Sequence, residues 1–198
     1  MEFVASFPWL VRSVALLAPT GLLRGLPQSY LDLVEAARGD KDEEEIRKLV
    51  AVTQGVEYAK LEDGVAKEYV DDNPVKGTSS GRPNMQAMVQ WQYSCHHGHA
   101  ASFVSTLLYG PVMDQGEAWC RAGEVLREKH ATREDGQETV VLVCGSEDTV
   151  VPIDHVREDL DRYLGKGNCM AETVPGGHGF PLAQGEAIVD SLSVAWRL

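Results

Sequence analysis

Two short segments carry the residues best suited to chemistry. Gly145-Ser146-Glu147-Asp148-Thr149-Val150-Val151-Pro152 follows an apolar run and presents a carboxylate at Asp148 before a proline that closes the loop. Pro175-Gly176-Gly177-His178-Gly179-Phe180-Pro181 follows a second apolar run. There the glycines around His178 let the backbone turn tightly without a side chain in the way. Taken singly, each is a turn aspartate or a loop histidine that satisfies nearby backbone groups. Together they follow consecutive strands of one sheet, and in open α/β sheets the working residues stand on loops at the carboxyl ends of the strands.

A third cluster, Cys95-His96-His97-Gly98-His99, contains zinc-ligand residue types. Neighbouring residues on a helix point in different directions, and no second pair stands at ligand spacing, so the cluster does not specify a metal site. No cofactor is implied elsewhere.

The elements that must position these loops are legible from periodicity. Three apolar runs read as strands buried in a parallel sheet: Val11 to Pro19, Thr139 to Cys144, and Met170 to Val174. Glu2 to Phe7 reads as the tail of a helix that stops at Pro8. Ile153, Val156, Leu160 and Leu164 stand at helical spacing, as do Ile188, Val189, Leu192 and Trp196 in the stretch Gly185 to Trp196. Between the first two strands lie roughly 120 residues, far more than a simple crossover requires. This insertion reads as helices over Gln28 to Ala37, Asp42 to about Val70, Asn84 to Leu108 and Asp114 to His130, with a loop over Asp71 to Pro83. The fold class is therefore α/β, with three parallel strands, flanking helices and an inserted helical segment.

Composition bounds the function. The chain has 198 residues, 43% of them hydrophobic, which suits one ordinary core. Its net charge of −12 repels phosphate backbones and anionic membranes, so neither nucleic acid nor a membrane is an expected partner. The acidic run Asp40 to Glu45 reads as a solvated helix start. Cys95, Cys120, Cys144 and Cys169 form no C-x-x-C pair, and reduced thiols in a cytoplasmic protein are the expectation. The start lacks a basic leader region, and Ser13 to Ala18 is too short to cross a bilayer.

The segments G-S-E-D-T-V-V-P and G-G-H-G-F-P, one strand and one helix apart, resemble the acid and histidine loops of the α/β-hydrolase superfamily, of the serine-hydrolase type. M-E-F-V-A-S-F-P-W-L-V-R-S-V-A-L-L-A-P-T-G-L-L is similar to the helix after the nucleophile and the strand that follows it. The likeness runs through the whole chain in order. It implies a hydrolase core over residues 1–23 and 131–198 and a helical cap over 24–130. It also implies hydrolysis of an ester, amide or similar acyl bond in a small, fairly apolar molecule. His178 would take the nucleophile's proton and return it to the leaving group, while Asp148 holds the ring in the right tautomer. The segment W-Q-Y-S-C-H-H-G-H-A-A-S-F resembles a cap segment that faces the pocket, which makes Trp91, His96 and His97 candidates for lining a substrate cavity. Packing of an amphipathic helix is the other role open to Trp91.

In that family the nucleophile stands on a sharp strand-to-helix turn written G-x-S-x-G. The resemblance places that turn ahead of Met1, and the expectation is a chain inactive by itself. The alternative is a noncatalytic small-molecule binding or protein-interaction module derived from a hydrolase. A literal G-x-S-x-G at Gly77-Thr78-Ser79-Ser80-Gly81 lacks a strand before it and runs into Arg82-Pro83, which reads as a Gly/Ser loop. An uncovered apolar sheet edge at the first strand would favour self-association.

Overall fold

A computed structural model describes residues 1–54, 89, 91–93, 96, 98–135 and 137–198. The chain divides into two compact units, one of Met1–Arg24 with Pro111–Leu198 and one of Gly25–Gly110.

The first unit is built on a three-stranded, all-parallel sheet of β1 (Val14–Leu17), β2 (Val140–Gly145) and β3 (Met170–Val174), in spatial order β1-β2-β3. Val14 stands beside Val140 in register, and Val141 beside Met170. β2 is central and buried at every position, which is why its sequence is an unbroken apolar run rather than an alternation. β1 is shorter than the run Val11 to Pro19 that the sequence offers. A single 3₁₀ turn at Pro8–Leu10 occupies the chain just upstream, and Pro19 lies two residues past the strand's end.

Among the described residues, five α-helices accompany the sheet in this unit. α1 (Glu2–Ser6) ends just before Pro8, as the proline dictates. α2 (Gln28–Arg38), α3 (Glu43–Thr53) and α4 (His99–Tyr109) belong to the second unit. α5 (Gly116–Ala131) packs beside α1 and α6 (Ile153–Leu164), and the short α7 (Phe180–Ala183) leads into α8 (Gly185–Trp196), which packs on β2 and β3. α6 buries Val156, Leu160 and Leu164, the stripe read from its sequence, and ends at Gly165, whose φ of +85° suits glycine. Trp119, Ala122 and Leu126 of α5 join Leu142, Leu160, Phe180 and Ile188 in one core.

That packing moves a boundary. The sequence reading ends the inserted segment near His130, whereas the contacts end it near Gly110, because α5 buries its apolar face with α1 and α6.

The second unit contains α2 (Gln28–Arg38), α3 (Glu43–Thr53) and α4 (His99–Tyr109) around a small core of Leu33, Val50, Ala51, Tyr93 and Ala100. The acidic run does start a helix: Asp42 caps α3 by accepting from the Glu45 N–H at 2.8 Å, and Glu43, Glu44 and Glu45 fill the first turn, where the exposed N–H groups favour negative charge. The expected helix over Asn84 to Leu108 is interrupted in its described part, since α4 starts afresh at His99 behind Gly98. The readings for Gly55 to Met88, including the loop over Asp71 to Pro83, lie outside the described residues. No helix among the described residues is long and apolar enough to cross a membrane.

Candidate functional site

The carboxyl ends of β2 and β3 are adjacent because the strands are parallel neighbours, so the two loops leaving them must meet. Backbone hydrogen bonds stitch them together. The Ser146 N–H donates to the Val174 carbonyl at 2.8 Å, and the Glu147 N–H donates to the Gly176 carbonyl at 3.0 Å. Gly145 is required at this seam. A Cβ there would lie 2.6 Å from the Gly177 carbonyl oxygen and closer still to that of Gly176. Gly176 itself has φ +117°, a conformation that L side chains rarely adopt.

On this seam Asp148 and His178 are in contact. The Nδ1 atom of His178 lies 2.9 Å from Oδ2 of Asp148, between residues 30 apart in sequence. The other carboxylate oxygen, Oδ1, accepts from the Val150 N–H at 2.9 Å and the Val151 N–H at 2.8 Å. These bonds fix the carboxylate plane within a tight turn, closed by the Asp148 N–H donating to the Gly145 carbonyl at 3.2 Å. The Asp148 side chain is fully buried, whereas that of His178 is 45% exposed. A carboxylate only accepts, so its partner nitrogen must carry the proton, which assigns the Nδ1–H tautomer to neutral His178. The Nε2 lone pair is then left free, and among the described residues it has no hydrogen-bond partner. An imidazole so arranged can accept a proton at Nε2 while the buried carboxylate stabilises the resulting cation.

Phe180, two residues after His178, is buried at the start of α7 and gives the histidine loop a fixed footing, with its N–H donating to the Gly177 carbonyl at 3.0 Å. Below the acid loop the Cys144 thiol is pushed up to about 11, by burial first and then by the charge of Asp148, and so is a poor nucleophile at neutral pH. At the carboxyl end of β1, Ala18 adopts φ +42°, an uncommon conformation for a residue with a Cβ.

Several of these features were not read from the sequence. The anchoring N–H groups of Val150 and Val151 carry no side-chain signal, although D-T-V-V-P is a sequence in which an aspartate can turn back on the next amides. Phe180 looked like part of a loop, and only its burial reveals its role.

The three candidates for lining a pocket lie in the second unit. Trp91 is exposed, as is His96, and His97 lies outside the described residues. Neither Trp91 nor His96 lines a cavity of about 430 Å³ between α3 and α4, bounded by Ile46, Ala100, Val104 and Leu108. His99 instead is built into the unit's packing. Its Nε2 lies 3.0 Å from Oε1 of Gln54, and its ring meets Tyr93 edge-on at 5.1 Å. Burial, then the nearby His96, lowers its pKa. Among the described residues no three His, Cys, Asp or Glu side chains converge as metal ligands.

No protein-family model matches this chain, and no curated protein matches its sequence.

Proposed function

We propose that this chain is the acid-and-histidine portion of an α/β-hydrolase of the serine-hydrolase type, acting on an ester, amide or similar acyl bond in a small, fairly apolar molecule. The observation that carries the reading is the 2.9 Å contact between His178 Nδ1 and a fully buried Asp148 oxygen, on loops at the carboxyl ends of adjacent parallel strands. In this reading Asp148 holds the ring, and Nε2 takes the proton of a hydroxyl as its oxygen attacks the acyl carbon. The same nitrogen then returns that proton to the leaving alcohol or amine, and a water molecule repeats the cycle to free the acid. The serine that Nε2 would serve belongs on a strand-to-helix turn, and Ser79 does not stand in such a setting by sequence.

A second reading, a noncatalytic small-molecule binding module, is favoured by the largely apolar cavity of about 430 Å³ between α3 and α4, a size within the usual range for ligand pockets.

The two readings part in one experiment. The coding sequence upstream of Met1 is read for an in-frame apolar strand ending in G-x-S-x-G, and both the 198-residue chain and any longer product are assayed with p-nitrophenyl esters. The hydrolase reading expects no turnover from the 198-residue chain, and turnover by the longer product that falls about 10⁴-fold in Asp148→Asn. Turnover by the 198-residue chain that vanishes in Ser79→Ala would instead make Ser79 the nucleophile. If no such upstream segment exists and no chain turns over ester, the hydrolase reading fails and the binding module remains.

A further inference from the structure

On the binding-module reading, on which this step rests, we propose that the cavity between α3 and α4 takes a small apolar molecule bearing one carboxylate, whose head pairs with Arg47.

The space follows from the sequences of the two helices. Ala100, Val104 and Leu108 recur four residues apart and so share one face of α4, and with Ile46 of α3 they wall the cavity. Ala100 is buried, and Ile46 and Val104 pack against the same small core, so the packing that holds this unit together also fixes the wall. At 100 and 101 the wall presents single methyl groups where larger side chains would fill the space. A volume of about 430 Å³ suits an aliphatic chain of about eight carbons with a polar head.

Charge selects the head. Lys41, Glu43 and Arg47 are the charged side chains on the cavity's border. Lys41 is ion-paired with Glu45, and Glu43 lies in the first turn of α3, where the helix N–H groups offset a negative charge. Arg47 differs. Its guanidinium has no ion pair or hydrogen bond among the described residues, not even with Glu43 one turn away, whereas the next residue, Lys48, is paired with Glu44 at 3.5 Å. The Arg47 side chain is half-buried, and the Tyr93 hydroxyl donates to its carbonyl at 3.3 Å, which ties this turn of α3 to the core. Partly withdrawn from water beside an apolar wall, a guanidinium gains from a carboxylate, which its planar fork binds through two parallel bonds.

Two opposing effects are separated by their range. The net charge of −12 repels an anion from afar, but salt screens that field beyond about 10 Å, whereas a guanidinium–carboxylate pair acts at about 3 Å. The local pair therefore dominates. An amine head would meet Arg47 as a like charge, and a neutral head would leave the guanidinium unmatched.

The test is isothermal titration calorimetry of the 198-residue chain with octanoate, 1-octanol and octylamine, each from about 10 μM to 1 mM. Octanoate is expected to bind about 10-fold or more tighter than 1-octanol, and octylamine most weakly. Arg47→Gln is expected to remove the preference for octanoate while leaving 1-octanol binding as it was. Ala101→Phe narrows the space from an exposed wall position and is expected to weaken both. Lys48→Gln removes a cation of α3 that does not border the cavity and is expected to change neither. Far-UV circular dichroism checks that each variant keeps its helices. Equal binding of octanoate and 1-octanol would overturn the proposal and leave the binding-module reading in place. So would octylamine binding as tightly as octanoate, a folded Arg47→Gln that keeps the preference, or equal losses in Arg47→Gln and Lys48→Gln. Absence of binding by all three probes would overturn the proposal and the binding-module reading together. None of these outcomes bears on ester turnover, so the hydrolase reading fails or stands separately.

Discussion

At the scale of single residues, Asp148 does two jobs with its two oxygens, and the jobs separate by substitution. Asp148→Ala leaves the part-buried N–H of Val150 and the buried N–H of Val151 without an acceptor, and is expected to lower stability in urea denaturation by about 1–3 kcal/mol. Asp148→Asn keeps an oxygen for those amides, so its stability is expected to stay near that of the parent chain. Its NH₂ group, however, would face His178 Nδ1 and force the proton onto Nε2. A direct check is the nitrogen chemical shifts of the neutral imidazole, expected to report Nδ1–H in the parent chain and Nε2–H in Asp148→Asn. The thiols give an independent reading of burial. Cys144 is pushed up to about 11 and Cys169 to about 12, both chiefly by burial, whereas Cys120 is exposed. Alkylation with iodoacetamide near pH 8, followed by peptide mapping, is expected to modify Cys120 well before Cys144 and Cys169.

At the scale of elements, the sheet's energetics are uneven. β2 is packed along its whole length, and Leu142→Ala is expected to cost about 2–5 kcal/mol, because that side chain is fully buried within the core. Leu17→Ala in β1 is expected to cost under about 1 kcal/mol, since that side chain is already 39% exposed. Chemical denaturation of the two variants checks the contrast. The same asymmetry explains which elements were legible. β2 reads cleanly because its apolar run ends at glycine, and α6 and α8 because an apolar stripe recurs at helical spacing, whereas β3, expected to be buried, exposes Glu172 and Thr173 and keeps only Val174 buried. α7 was illegible: four residues beginning Phe180-Pro181 are too short to show a period.

At the scale of the whole molecule, the segment before β1 and the loop before β2 are tied by ionic contacts in the first unit. The Asp135 carboxylate accepts from Arg133 at 2.9 Å, from Arg12 at 3.0 Å and from the Gln137 N–H at 3.0 Å. The Arg133 guanidinium first, then the Gln137 amide and Arg12, hold the carboxyl well below the usual carboxylate range. A depressed folded pKa stabilises the fold at pH values above the unfolded pKa of about 3.9, and that contribution is lost as pH falls further. Melting temperature against pH is therefore expected to show its widest gap between the parent chain and Asp135→Asn at neutral pH, narrowing below about pH 4. The site is exposed, so salt should also narrow the gap.

The α/β class, the three strand runs and the loops on which Asp148 and His178 stand are written in the order of residues alone. Strand and helix periodicity, and the glycines and prolines that end each run, are local properties written residue by residue. Tertiary structure decided that β2 and β3 are neighbours, and hence that two side chains 30 residues apart share a hydrogen bond. It also decided that α5 packs in the unit that holds the sheet, and that β2 is the central one of the three described strands. Such facts depend on which faces find each other in space, and a one-dimensional pattern fixes which face is apolar without fixing what covers it.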